Sequence, residues 1–462
     1  MIKNKYIDLI EQTFYFPRHG FDLTNNELSF HDVPLVEMIE EFGSPLKFTY
    51  LPKIDMQIQT AKQHFTTAID KYKYKGNYTY CYCTKSSHFS FIIERALQNN
   101  IGLETSSAYD LDIINHLSNK RLFEKNKSII CNGYKTNEYA EKIVKMVKNG
   151  FTNLTAVIDN IDEVDKYDQH NINLNLGIRI ATEEEPNAPF YTSRLGMSSK
   201  KIKNFYQSKI KDNPNYKLKM LHFFVNTGIK DTTYYWSELA RLVNVYCDVK
   251  QYVPELESLD IGGGMPIYNT LGIEHDYEYM IDQIVMYIKT ICEDRGVPEP
   301  NIFSEFGQYT VGESGGMLYS IIGQKEQNDK ELWYMIDSSF ITTLPDTWGI
   351  GQQFILLALN HWNKPFKRIN LGGVTCDSQD FYTTDSQTNQ VFMPAIKEGE
   401  KLYMGFFHTG AYQESIGGYG GIQHCLIPAP KHVLIDKVDG KLSYKLFAPQ
   451  QNAESMLNIL GY

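Results

Sequence analysis

Between residues 46 and 310, short apolar runs alternate with amphipathic stretches, and this alternation constrains the fold more than any other feature of the chain. The apolar runs are Leu46–Tyr50, Asn77–Cys83, Ser128–Cys131, Thr155–Asp159, Leu176–Ile180, Lys219–Val225, Ser258–Ile261 and Asn301–Glu305. Their lengths suit strands. Helical patterns such as Phe89–Gln98, Ala108–Leu117, Thr136–Lys148, Tyr235–Tyr252 and Tyr277–Arg295 lie between them. Strands alternating with helices imply βα units and a parallel sheet, and about eight such units predict a closed (β/α)8 TIM-type barrel over residues 46–310.

After Gly315 the character changes. Leu332–Ile336, Arg368–Leu371, Lys401–Phe407 and His432–Ile435 read as strands separated by turn residues, without long helices. Residues 311–462 are therefore expected to form a mostly antiparallel β domain. Residues 1–45, with Leu28–Phe30 as a strand, are expected to join its sheet. The fold class is α/β, and 462 residues are too many for one ordinary core.

Charge and cysteine usage exclude several functions. A formal net charge of −10 argues against a nucleic-acid binder and is compatible with a cationic substrate. The seven cysteines, an odd number, form no CxxC pair, so no disulfide framework is expected and a reducing, cytoplasmic compartment is; no metal is expected either. Residues 1–11 carry charges inside any would-be apolar core. They do not read as a signal peptide, and no run of about 18 apolar residues predicts a membrane span.

Five motifs carry reactive or ligand-holding residue types. Lys85 ends the run Asn77–Thr84 and precedes a helical pattern, so it sits where barrel enzymes place catalytic groups. A lysine there can form a Schiff base, or it is a solvated loop lysine. Gly262-Gly263-Gly264 follows Ile261. It reads either as a phosphate cradle of backbone N–H groups or as a tight βα turn. Glu305, in Glu305-Phe306-Gly307-Gln308, is a carboxylate able to keep a pyridine nitrogen protonated, or a barrel-mouth ion pair. Cys376-Asp377-Ser378-Gln379-Asp380 joins a thiol to carboxylates, suiting a proton donor beside a cation site. The competing reading is a buried structural cysteine with a capping aspartate. The last motif is Gly410-Ala411-Tyr412. Glu104 and Asp110 mark a further strand end and helix start, where Asp110 suits the helix dipole as well as catalysis. Arg179 and Arg194 flank the acidic run Glu183-Glu184-Glu185, and Arg179 lies within an apolar strand.

In this order the motifs resemble the fold-III, alanine-racemase-like decarboxylases that use pyridoxal 5′-phosphate, from Gly43-Ser44-Pro45-Leu46 through Tyr412. The resemblance implies a barrel plus β domain working as a homodimer with active sites at the interface. Lys85 looks like the Schiff-base lysine and Glu305 like the partner of the pyridine nitrogen. Gly262, Gly263, Gly264, Thr227 and Tyr412 resemble the phosphate cradle, with Glu104, Arg179, Gly307 and Gln308 as further cofactor neighbours. Cys376 resembles the cysteine that returns a proton to Cα across the dimer, and Asp377 and Asp380 fall where a distal cation is received. The segment Ser339–Ile350 and Gly410-Ala411-Tyr412-Gln413-Glu414 resemble biosynthetic arginine decarboxylases, with Asp346 as a second partner for a guanidinium. This implies conversion of L-arginine to agmatine and CO2 in polyamine biosynthesis.

The chain departs from the family pattern at three points. Leu221-His222-Phe223-Phe224-Val225-Asn226-Thr227 places Phe224 where the family stacks a histidine on the cofactor ring. Gln308 stands where an arginine usually follows the Glu-Pro-Gly motif. The chain is also shorter than typical biosynthetic arginine decarboxylases. The competing functions are decarboxylation of ornithine, lysine, diaminopimelate or carboxynorspermidine, and an inactive homologue that binds a partner.

Overall fold

The computed structural model describes residues 4–182, 193–327, 331–382, 391–397 and 399–462. Glu183, Glu184 and Glu185 lie outside the described residues. The chain divides into two compact units. One comprises residues 54–266 and 276–310, the other residues 1–53, 267–275 and 311–462.

The first unit is a closed barrel of eight parallel strands in chain order. They are β1 (Tyr78–Cys83), β2 (Gly102–Thr105), β3 (Ile129–Cys131), β4 (Leu154–Ile158), β5 (Leu174–Arg179), β6 (Tyr216–His222), β7 (Ser258–Asp260) and β8 (Asn301–Phe306). β8 closes on β1 through Ile302 opposite Tyr78 and Glu305 opposite Cys81. A strand covered on both faces can be apolar on both, and β3 and β4 are buried throughout.

The helices between strands follow from pattern and caps. Helix Asn137–Lys148 buries Tyr139, Ala140, Ile143, Val144 and Met146, a stripe at helical spacing, and Thr136 caps it by accepting from Tyr139 N at 3.2 Å. Helix Ala108–Asn119 starts with a capping box: Ser107 Oγ accepts from Asp110 N while Asp110 Oδ2 accepts from Ser107 N. Asp276 caps helix Tyr277–Asp294.

The second unit holds a ten-stranded, mostly antiparallel sheet and a separate three-stranded one. Gly315–Glu326 is central to the large sheet, pairing with Leu332–Ile336, Leu46–Tyr50 and Tyr403–Phe407. Its core is aromatic, with Phe30, Phe48, Tyr319, Phe340, Trp362, Phe406 and Phe407 fully buried.

Two expectations are corrected. Leu46–Tyr50 is a strand, but not of the barrel: it pairs with Gly315–Glu326 and Lys431–Val438, and Gly102–Thr105 takes the eighth place in the barrel. Leu28–Phe30 lies within Glu27–Phe30, which pairs with Phe21–Thr24 and Val33–Pro34 in the small sheet instead of joining the large one.

Candidate active site

The C-terminal ends of the barrel strands bring most of the chemistry together. Lys85 lies on the one-turn 3-10 helix Thr84–Ser86 directly after β1, and its side chain is exposed. Its charge acts on two buried carboxylates, Glu104 at the end of β2 and Glu305 at the end of β8. Gly307 lets these turns close, since a Cβ there would lie 2.0 Å from Ser86 Oγ.

Glu305 is fixed from two sides. Asn132 Nδ2, just past β3, donates to Oε1 at 2.7 Å, and His222 Nε2 lies 3.2 Å from Oε2. Burial works to raise its pKa, but the charge and hydrogen bond of His222, a hydrogen bond from Asp260 and the charge of Lys85 outweigh it, lowering it to about 2. Asp260 goes the other way. Burial and the neighbouring Glu305 charge push it well above the aspartate range, so it carries the proton. Its Oδ1 accepts from Gly262 N at 2.8 Å. The protonated Asp260 carboxyl is the donor in its hydrogen bond with Glu305.

Glu104 is buried too. It accepts from Cys83 Sγ at 2.5 Å and Ser106 Oγ at 3.4 Å, and burial raises its pKa although Lys85 opposes this. Asp110 is a helix cap whose Oδ1 meets His88 Nε2 at 2.9 Å, and the hydrogen bonds it accepts overcome burial to lower its pKa. Arg179 is the last residue of β5, in register with His222. Arg194 is exposed.

The glycine turn after β7 is pressed against the loop after β6. Gly262 and Gly264 have φ of +68° and +94°, and a Cβ on Gly264 would meet Gly228 Cα at 2.8 Å. Ile229 N donates to Gly264 O at 2.8 Å, so Thr227 and the three glycines share one corner. Phe224 lies half-buried on the same loop. Thr227 Oγ1 is buried without a hydrogen-bond partner among the described residues. A buried orphan hydroxyl beside a glycine turn fits a phosphate oxygen, and a buried charged carboxylate on the adjacent strand, β8, fits a protonated pyridine nitrogen. The donor set suits pyridoxal phosphate.

The remaining expected residues belong to the other unit. Tyr412 has φ +69° at the start of the short helix Gln413–Gly417, a conformation that costs about 1 kcal/mol or more for a bulky residue. Asp346 is buried, and Gln413 Nε2 donates to its Oδ2 at 2.8 Å; burial raises its pKa against that bond. Asp377 accepts from Gln379 N at 2.8 Å and meets His424 Nε2 at 3.0 Å. Cys376 is exposed beside Cys425, not the buried structural thiol of the competing reading. Asp380 has another task from the one expected. Its carboxylate accepts from Ser339 Oγ, Phe340 N, Thr375 N and Thr375 Oγ1, which ties down the loop and leaves no lone pair in good geometry for a substrate cation.

Asn132 and Asp260 were not read from the sequence as site residues. Asp260 had a signal: it is a carboxylate near the end of the apolar run Ser258–Ile261, the kind of position at which Glu305 stands. Asn132 had none, because a lone asparagine after a strand is ordinary turn chemistry.

Comparison with known proteins agrees with this geometry. Residues 53–312, more than half of the chain, match the family model of the pyridoxal-binding domain of pyridoxal-dependent decarboxylases. The chain belongs to that family, and its cofactor is pyridoxal phosphate. It is 22% identical to a biosynthetic arginine decarboxylase of Geobacter sp. strain M21, over 81% of this chain and 77% of the relative. It is 21% identical to that of Prochlorococcus marinus strain AS9601, over 96% and 87%. Among solved structures, the biosynthetic arginine decarboxylase of Campylobacter jejuni superposes with a TM-score of 0.82 at 18% identity, covering 100% of this chain and 91% of that one. A diaminopimelate decarboxylase from M. jannaschi gives 0.77 at 17% identity, covering 95% and 97%. At these identities the structural likeness speaks for the fold alone.

Proposed function

We propose that this pyridoxal-dependent decarboxylase acts on L-arginine, releasing CO2 and agmatine. The observation that carries the substrate is Asp346, a buried carboxylate held at one oxygen by the Gln413 amide within Leu344-Pro345-Asp346-Thr347-Trp348. A planar guanidinium favours such a fixed carboxylate more than a rotating ammonium does. The arginine decarboxylases among the similar proteins support the same substrate. Diaminopimelate needs a partner for a second carboxylate, and this segment has no basic residue.

The bound cofactor supplies the electron sink for the carbanion left at Cα when CO2 departs. The chain supplies the rest. Lys85 provides the amine that anchors the aldehyde, and Glu305 keeps a proton on the ring nitrogen. Thr227, Gly262, Gly263, Gly264 and Tyr412 would hold the phosphate, with Gln308 beside them, while Arg179 and Glu104 would face the cofactor's ring. Phe224 supplies an aromatic face for the ring but no hydrogen bond. Cys376 returns a proton to Cα, and Asp377 and Asp346 receive the guanidinium. We propose a two-fold dimer in which Cys376 of the partner subunit completes each site.

The test is steady-state kinetics of Asp346→Asn and Asp377→Ala with arginine. Each is expected to raise KM by about tenfold or more, one charge-assisted hydrogen bond. An unchanged KM in both variants contradicts the substrate assignment.

A further inference from the structure

β6 carries a histidine, His222, two residues before Phe224. Strand geometry puts side chains two apart on the same side, so His222 shares the face of Met220, which packs with Cys81, Ile130 and Val157 of other barrel strands. It is 1% exposed and in register with Asp260 of β7. The ligating atoms of His222, Asp260 and Glu305 all lie within 4.8 Å of one another.

We propose that His222 is a positioning residue for the cofactor's ring nitrogen: its Nε2–H holds Glu305 Oε2, so that Glu305 rather than Asp260 is the charged carboxylate. This rests on the reading of Glu305 as the partner of that nitrogen.

Two carboxylates buried side by side cannot both ionise, and one proton is shared between them. The groups facing them are Cys81 and Lys85 from β1 and its turn, Glu104 from β2, Asn132 after β3 and His222 from β6. Glu305 is a pure acceptor when charged, so His222 Nε2, 3.2 Å away, is the donor. Gly262 N and the proton on Asp260 itself are the hydrogen-bonding groups for Asp260. The hydrogen bonds of Asn132 and His222 both go to Glu305, so the asymmetry of the pair lies on that side. Asn132 has no charge to give. His222 is the neighbour whose charge and hydrogen bond act most strongly to keep Glu305 ionised. Without it the proton redistributes, and a neutral Glu305 no longer holds a proton on the pyridine nitrogen. Phe224, at the position of the family's stacking histidine, has no hydrogen to donate, so His222 is the imidazole that touches this carboxylate pair.

The test is binding of two ligands to the cofactor-stripped enzyme: pyridoxal phosphate, and the analogue in which C–H replaces the ring nitrogen. The two share phosphate, aldehyde and ring shape. His222→Ala is expected to weaken pyridoxal phosphate about tenfold or more while leaving the analogue nearly unchanged, and His222→Gln, which keeps an N–H donor, to recover part of the loss. Equal weakening of both ligands makes His222 a packing residue and overturns the proposal, as does no weakening of either. Glu305→Gln separates the two levels. If it discriminates between the ligands and the His222 variants do not, only this inference falls. If it does not discriminate either, the role of Glu305 falls first. Should His222→Ala not fold, the comparison of His222→Gln with His222→Leu decides between the same outcomes.

Discussion

At Asp260 the barrel keeps an aspartate protonated, and this has a consequence for stability. Its folded pKa lies above the unfolded value of about 4. Above that value the unfolded chain releases the proton while the folded chain keeps it, so folding stability falls as pH rises. Asp260→Asn, which mimics the neutral acid, is expected to stabilise the cofactor-free protein at pH 7 by on the order of 1 kcal/mol. The same variant should flatten the stability profile between pH 5 and 8. Urea unfolding of both proteins across that range checks it, and a profile as steep in the variant would contradict a neutral Asp260. Glu305 has the opposite sign, its contribution being lost as pH falls from the ordinary glutamate range toward about 2. At this scale the position of Lys85 and Glu305 at the ends of barrel strands was legible, because the apolar runs before them are local. The role of Asp380 was not legible, because an aspartate that anchors a loop and one that binds a cation look alike until their hydrogen-bond partners are known. Cys376 is the matching case: its exposure follows from long-range packing that a Cys-Asp-Ser string does not encode.

Strand identity depends on pairing, which local pattern does not contain. Leu46–Tyr50 and a barrel strand are both short apolar runs before a helix, and only the register with Gly315–Glu326 separates them. Gly102–Thr105 escaped the apolar count because it carries Glu104, a buried carboxylate that interrupts the apolar run. Helices were more legible, since caps and stripes are local: Ala108–Asn119 and Asn137–Lys148 start within a residue of expectation. The glycine turn after β7 yields a prediction at this scale. Gly264→Ala forces a Cβ against Gly228 Cα and onto a positive φ, so the turns after β6 and β7 must part. The variant is expected to lose about 1–3 kcal/mol of stability, and weaker pyridoxal phosphate binding should accompany it. Calorimetry with and without cofactor reads both, and an unchanged midpoint would contradict the close packing of the two turns.

For the whole molecule, the alternation of strands and helices followed by β structure foretold the class of fold. It did not foretell that residues 267–275 leave the barrel unit for the other one. No helix among the described residues is long and apolar enough to cross a membrane. If each active site draws Cys376 from a partner subunit, Lys85→Ala and Cys376→Ala proteins, each inactive alone, will regain activity when mixed and allowed to exchange subunits. A mixture that stays inactive despite exchange would place both residues of a site in one chain. The central claim is the reaction itself. Purified protein with pyridoxal phosphate should be incubated separately with arginine, ornithine, lysine, diaminopimelate and carboxynorspermidine, and the products read by mass spectrometry. The account predicts agmatine from arginine; a different amine from another substrate, with none from arginine, would contradict the specificity, and no product from any of the five would contradict the decarboxylase mechanism assigned to Lys85, Glu305 and Cys376.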